Sequence, residues 1–188
     1  MPPERRSLED VVRVAEDVFR TNGVDHVFVG AISVMAFGRI RTTEDIDVIA
    51  DLAPSHVDRV CEAFRREGFL ASPDDLRAAI AEGGHCAIED VSSLYRIDLV
   101  PVNSAAKREA LATRVRLDVL GLSLPVAGPE HTIIMKLSWG REQDIDDAKA
   151  IGVRQRGKLD LERMRAFARR EGMSAKLEAF LREVEGEE

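Results

Sequence analysis

Two aspartates separated by one apolar residue, Asp45-Ile46-Asp47-Val48, follow a passage that begins Val29-Gly30-Ala31 and carries Arg39 and Arg41. Successive strand residues point to opposite faces, so Asp45 and Asp47 share one side while Ile46 and Val48 take the other. The two carboxylates then stand roughly 7 Å apart along the strand and repel each other. A divalent cation between their tips relieves that repulsion, which points to phosphate chemistry. Gly30 closes an apolar stretch, and the backbone N–H groups after it, at the start of a short helix, form an anion site. A third carboxylate, Asp98, follows Arg96 by two residues and shares its strand face. An Asp-x-Asp pair alone says little: Asp144-Ile145-Asp146 repeats it, and Asp45 and Asp47 also suit a strand end that merely faces solvent. The glycine turn, the two arginines and Asp98 together favour a site.

The elements that must position these groups follow from hydrophobic spacing. Leu8, Val11, Val12, Ala15, Val18 and Phe19 recur with helical period between the N-cap Ser7 and the stop Gly23. Val24 to Val29 reads as a buried strand, Ala31 to Phe37 as a short helix closed by Gly38, and Asp45 to Ala50 as a second strand. A helix from Pro54 to Gly68 completes a crossover unit, and Ser72-Pro73-Asp74-Asp75 opens another helix that Gly83-Gly84 closes. His85 to Glu89 and Leu94 to Val100 form an antiparallel hairpin, Ser104 caps a short basic helix, and Val115 to Leu120 with Leu122 to Val126 form a last hairpin about Gly121. From Gly128 onward the pattern is helical, broken at Gly140, Gly152, Gly157 and Gly172. The expected fold is α+β, a mixed sheet with flanking helices over residues 1–128, followed by a helical portion, 129–188, packed on it with the site in the cleft between them.

Composition narrows the function classes. A chain of 188 residues with 45% hydrophobic content supports one real core. Its net charge of −7 speaks against a protein that coats nucleic acid through its overall field. Cys61 and Cys86 lack zinc-ligand spacing and read as buried thiols. No run of about 20 apolar residues exists, and the start Met-Pro-Pro-Glu-Arg-Arg lacks a secretory apolar region, so we expect a cytoplasmic protein without membrane partners. Phe28, Met35, Phe37 and Trp139 sit among apolar neighbours and read as core, and the arginines and lysine from Arg154 to Arg170 read as a solvated helix face.

Val29-Gly30-Ala31, the gap to Glu44, and Asp45-Ile46-Asp47-Val48 resemble the nucleotidyltransferase superfamily related to DNA polymerase beta. Ala31 departs from the Gly or Ser usual after the glycine, although its backbone N–H remains available. Within that superfamily, Arg41-Thr42-Thr43-Glu44-Asp45-Ile46-Asp47, and later Lys136, Arg141 and Asp144-Ile145-Asp146-Asp147, resemble the AbiEii-type toxin branch. The resemblance implies two Mg²⁺ ions, Mn²⁺ being an alternative, held by the catalytic carboxylates Asp45, Asp47 and Asp98. It also implies an NTP bound by Gly30, Ala31, Ser33, Arg41, Thr43, Lys136, Arg141 and Asp144. Arg41 equally suits a salt bridge to Asp98 or Asp47, and Asp144 and Asp147, on one helix face, suit orienting Lys136 or Arg141. The implied reaction is transfer of NMP from the NTP to an acceptor hydroxyl by a toxin with a protein antitoxin and tRNA as acceptor. Adenylylation of a small molecule, as in aminoglycoside or lincosamide resistance, and an inactive partner-binding domain are the alternatives.

Overall fold

The computed structural model describes residues 5–186; the first four residues, which include part of the start read above for a leader, and the last two lie outside the described residues. Helix α1 (Leu8–Thr21) opens on a reciprocal cap, with the Asp10 N–H donating to the Ser7 hydroxyl and the Ser7 N–H donating to the Asp10 carboxylate. Its periodic apolar residues are buried from Val11 to Phe19. The chain continues through β1 (His26–Phe28), α2 (Gly30–Phe37), β2 (Asp45–Ala50), a 3₁₀ turn at Pro54–His56, α3 (Val57–Arg66), β3 (Phe69–Leu70), α4 (Pro73–Glu82), β4 (Cys86–Asp90) and β5 (Arg96–Pro101). It ends with α5 (Ala105–Ala112), β6 (Val115–Val119), β7 (Leu122–Val126) and the helices α6 (Pro129–Trp139), α7 (Glu142–Arg154), α8 (Leu161–Arg170) and α9 (Ser174–Gly186).

Among the described residues the strands form one mixed sheet in the order β3-β4-β5-β2-β1-β7-β6. β1 and β2 run antiparallel although α2 joins them, so the parallel crossover is the later one, from β2 through α3 and α4 to β5. The hairpins β4–β5 and β6–β7 are antiparallel, as their short turns require. Ile46, Val48, Ile97 and Leu99 lie fully buried on one sheet face, in a cluster that continues through Val11, Phe19 and Phe64 on one side and Ile133, Ile151 and Phe180 on the other. One core therefore runs under both the sheet and the terminal helices. On the opposite face Ile49 joins Val27, Ala110 and Leu111 in a small second cluster beneath α5, and the carboxylates occupy the rest of that face. Both cysteines are buried free thiols, and burial pushes the Cys86 thiol up to about 11.

Some expectations need correction. The first strand is shorter than Val24–Val29, and the two-residue β3 carries too little pattern to be read from sequence. Gly152 does not break a helix: it lies inside α7, where a Cβ would stand 2.9 Å from the Phe180 ring and 3.1 Å from Val184, so its missing side chain lets α9 pack close. The basic stretch is not simply solvated. Arg163 pairs with Glu130 and Arg165 with Glu178 at 2.6 and 2.7 Å, Arg170 pairs with Glu109, and Arg154 donates to the carbonyl of Gly38 at 3.0 Å.

Candidate functional site

The parallel register of β2 and β5 sets Asp47 directly beside Asp98 and Asp45 beside Arg96, so all four side chains rise from the same sheet face. Arg96 Nε stands 2.9 Å from Asp45 Oδ1 and 3.3 Å from Asp98 Oδ1. Both are ion pairs without hydrogen-bond geometry, and Asp98 Oδ1 is buried without accepting a hydrogen bond. Burial raises the Asp47 pKa above the ordinary carboxylate range, the negative charges of Asp98 and Asp45 raise it further, and Lys136 and Arg41 oppose them. Among the described residues no three His, Cys, Asp or Glu side chains are gathered tightly enough to hold a metal ion unaided, since Asp45 leans toward Arg96. The Asp98 oxygen that accepts no hydrogen bond and the crowded carboxyl of Asp47 nonetheless fit Mg²⁺, which takes one or two carboxylates and completes its shell with phosphate oxygens and water.

The glycine turn is built against this pair. Gly30 has φ +58°, in the left-handed region, and a Cβ there would lie 2.0 Å from Asp47 Oδ2. Only a residue without a side chain lets α2 begin against the carboxylate. The Val29 N–H donates to the Asp47 carbonyl at 3.0 Å and ties the turn to β2. Gly30 and Ala31 both line the cleft, at the N-terminus of α2 where free N–H groups accumulate. Ser33 does not join them. Its hydroxyl is fully buried, donates to the Ala127 carbonyl at 2.8 Å and shares a hydrogen bond with Thr132 at 2.6 Å, so it fastens α2 to the start of α6, away from the cleft. Thr43 lines the cleft, with its hydroxyl donated to the Asp45 carbonyl at 2.8 Å, which fixes the entry into β2.

Helices α6 and α7 supply the facing wall. Lys136 is 4% exposed, and its Nζ reaches Asp144 Oδ1 at 2.8 Å and Asp147 Oδ2 at 3.1 Å. Asp144 also accepts from Arg141 Nε at 2.6 Å, and desolvation, which would raise its pKa, is outweighed by these two cations, which hold it below the usual range. Asp147, wholly buried, receives Arg39 at 3.0 Å and Arg41 at 2.7 Å. The partner of Arg41 is therefore Asp147, not Asp98 or Asp47. The pair of aspartates on one helix face does orient Lys136 and Arg141, and it also ties down the loop ahead of β2.

Between the walls lies a cleft of about 650 Å³ that brings together Gly30, Ala31, Arg41, Thr43, Asp45, Asp47, Lys136, Arg141 and Asp144. It shares Arg41, Thr43 and Asp45 with a neighbouring hollow of about 770 Å³ bordered by Arg5 and the hairpin residues Leu94 and Tyr95. Trp139 is not core: it is 49% exposed and lines the cleft. Its place one turn beyond Lys136, on the same helix face, was the available signal. The pairings of Asp147 with Arg39 and Arg41, and of Arg96 with Asp45, are the other contacts of the site that local spacing does not reveal.

Comparison with known proteins places this geometry in context. A family model described as "Nucleotidyltransferase of unknown function (DUF6036)" matches residues 6–182. No curated protein matches the chain by sequence. The solution structure of the antibiotic-resistance factor ANT(2'')-Ia superposes with a TM-score of 0.62 at 14% identity, over 91% of this chain and 96% of that one. An antigenic nucleotidyltransferase-like protein from Paracoccidioides brasiliensis gives 0.54 at 17% identity, over 92% of each chain. The lincosamide antibiotic adenylyltransferase LnuA, lincomycin-bound, gives 0.55 at 13% identity, over 79% of this chain and 98% of that one. At such identities these likenesses speak for the fold.

Proposed function

The chain belongs to the DUF6036 family of nucleotidyltransferases, and we propose that it transfers NMP from an NTP to an acceptor hydroxyl in the cleft between the β2 end of the sheet and α6–α7. The observation that carries the reading is the in-register pair Asp47 and Asp98 beside a glycine turn whose missing side chain leaves room for the Asp47 carboxylate. Asp45, Asp47 and Asp98 would hold Mg²⁺, with Mn²⁺ as a substitute, and the metal would supply charge neutralisation at the attacking and leaving oxygens. The N–H groups at Gly30 and Ala31 bind the terminal phosphates. Arg141, exposed at the cleft rim, balances phosphate charge, while Asp144, itself held by Lys136, keeps it in place. Asp98 accepts the proton of the acceptor hydroxyl on its carboxylate, a role that needs reach more than an elevated pKa.

The hollow that adjoins Asp45 is where the acceptor enters. On the motif resemblance of Arg41 to Asp47 and of the α6–α7 segment, the acceptor is RNA such as tRNA, and the chain is the cytoplasmic toxin of a toxin–antitoxin pair. A second reading, a small-molecule acceptor, draws support from the fold shared with ANT(2'')-Ia, whose complex holds adenylyl-2"-tobramycin, and with the lincomycin-bound LnuA. Among the described residues no helix is long and apolar enough to cross a membrane. Incubation with each α-labelled NTP, Mg²⁺ and either total tRNA, aminoglycosides or lincosamides tests the proposal. Label in RNA supports the first reading and label in drug the second; no label in any acceptor, with Asp45→Ala indistinguishable from wild type, refutes both. Expression that is toxic and is rescued by a neighbouring gene's product would support the toxin role.

A further inference from the structure

The cleft holds one feature that phosphate transfer chemistry does not use. Trp139 ends α6 with half its surface in solvent, although an indole buries 150–250 Å² when it is covered and gains from that burial. Gly140, in the left-handed conformation, stops the helix directly after it, so the ring stands at the helix end, where it lines the cleft. Trp139 lines the cleft that contains Gly30, Asp45 and Asp47, and among the described residues lining that cleft it is the one aromatic side chain. The ring also borders a small apolar recess of about 50 Å³ walled by Val29, Ile49 and Met135. Lys136 Nζ is 5.4 Å and the Arg141 guanidinium 6.0 Å from the ring centroid. The cleft is therefore graded, with carboxylates and the anion-binding turn toward the sheet and, at its rim, a half-exposed indole with Lys136 and Arg141 over its ring.

We propose that Trp139 is the platform on which the nucleobase of the bound NTP stacks. The inference rests on the nucleotidyltransferase reading of the cleft, and it assigns the base end of the nucleotide, which that reading leaves open. Stacking on an indole is tolerant of base identity and is lost on truncation to alanine with about a 5- to 150-fold weakening of binding. Arg141, at the start of α7, serves the phosphates of the same ligand, so the platform and that cation stand on either side of the Gly140 turn.

The sequence contains a single tryptophan, so intrinsic tryptophan fluorescence reports on this ring alone. With Mg²⁺ present, ATP should quench it, whereas inorganic tripolyphosphate, which carries the charge without a base, should bind by calorimetry and leave the emission nearly unchanged. By calorimetry, Trp139→Ala should bind tripolyphosphate as wild type does and ATP at least 5-fold more weakly, and Trp139→Phe should recover most of the loss. Equal quenching by ATP and tripolyphosphate, or ATP binding unchanged in Trp139→Ala, overturns the platform. Failure of wild type to bind either probe overturns the nucleotide reading beneath it and the platform with it.

Discussion

Replacing Gly30 by alanine separates backbone strain from site geometry. The added Cβ would stand 2.0 Å from Asp47 Oδ2, and ordinary contact begins at 3.4 Å, so the carboxylate or the turn must retreat by about 1.4 Å. A misplacement of about 1 Å at a reacting centre costs on the order of 10²-fold in rate. The left-handed φ of +58° adds about 1–2 kcal/mol of strain. In a chain of this size that strain lowers Tm by about 2–8 °C. Gly121, in the β6–β7 turn, supplies the control, with φ +72° and nothing within 4 Å of an added Cβ. Gly121→Ala should therefore suffer the same fall in Tm with NMP transfer intact, while Gly30→Ala should lose transfer by about 100-fold or more. Thermal melts and transfer of α-labelled NMP to the acceptor, measured on both variants, check this. A folded Gly30→Ala protein with wild-type transfer, or equal loss of transfer in Gly121→Ala, would refute the claim that this turn is fitted to Asp47.

Asp47→Asn removes a buried charge that Asp98 and Asp45 repel, so the metal-free protein should gain stability at neutral pH while losing transfer. Because the folded pKa of Asp47 is raised, the wild type takes up a proton as pH falls through it and the difference in Tm should close; melts in metal-free buffer from neutral to acid pH test that sign. Lys136→Met strips a cation from two buried carboxylates, and a destabilisation of about 3 kcal/mol by urea titration is expected; a loss below about 1 kcal/mol would contradict the network's structural role. His131 is buried, stacked on Phe167 with centroids 5.3 Å apart, with Nδ1 lacking a hydrogen-bond partner, and desolvation pushes its pKa down to about 4. The unfolded chain then binds the extra proton between about 6.5 and 4, so this contribution is intact above that window and is lost as pH falls, with a slope on the order of 1 kcal/mol per pH unit. In an Asp47→Asn background, His131→Leu should flatten that slope, as urea titrations at several pH values would show.

What the sequence alone determined is what depends on residues a few positions apart. Strand alternation put Asp45 with Asp47 and Arg96 with Asp98, the Ser7 and Ser72 caps marked helix starts, and the one-turn spacing of Asp144 and Asp147 placed both on one face toward Lys136. The resemblance of these motifs to nucleotidyltransferases agreed with the family the chain belongs to. Tertiary structure decided what depends on distant partners. That Asp47 and Asp98 become neighbours follows from parallel pairing of β2 and β5 across a long crossover, and a one-residue slip in that register would have turned Asp98 into the core. Arg39 reaches Asp147 across 108 residues, and Ser33 turns from the cleft to the Ala127 carbonyl 94 residues away. Local periodicity says only which face of an element a side chain takes. Whether Trp139 would be covered or left open depended on what else packed at the end of α6, which is set by the sum of contacts over the whole fold.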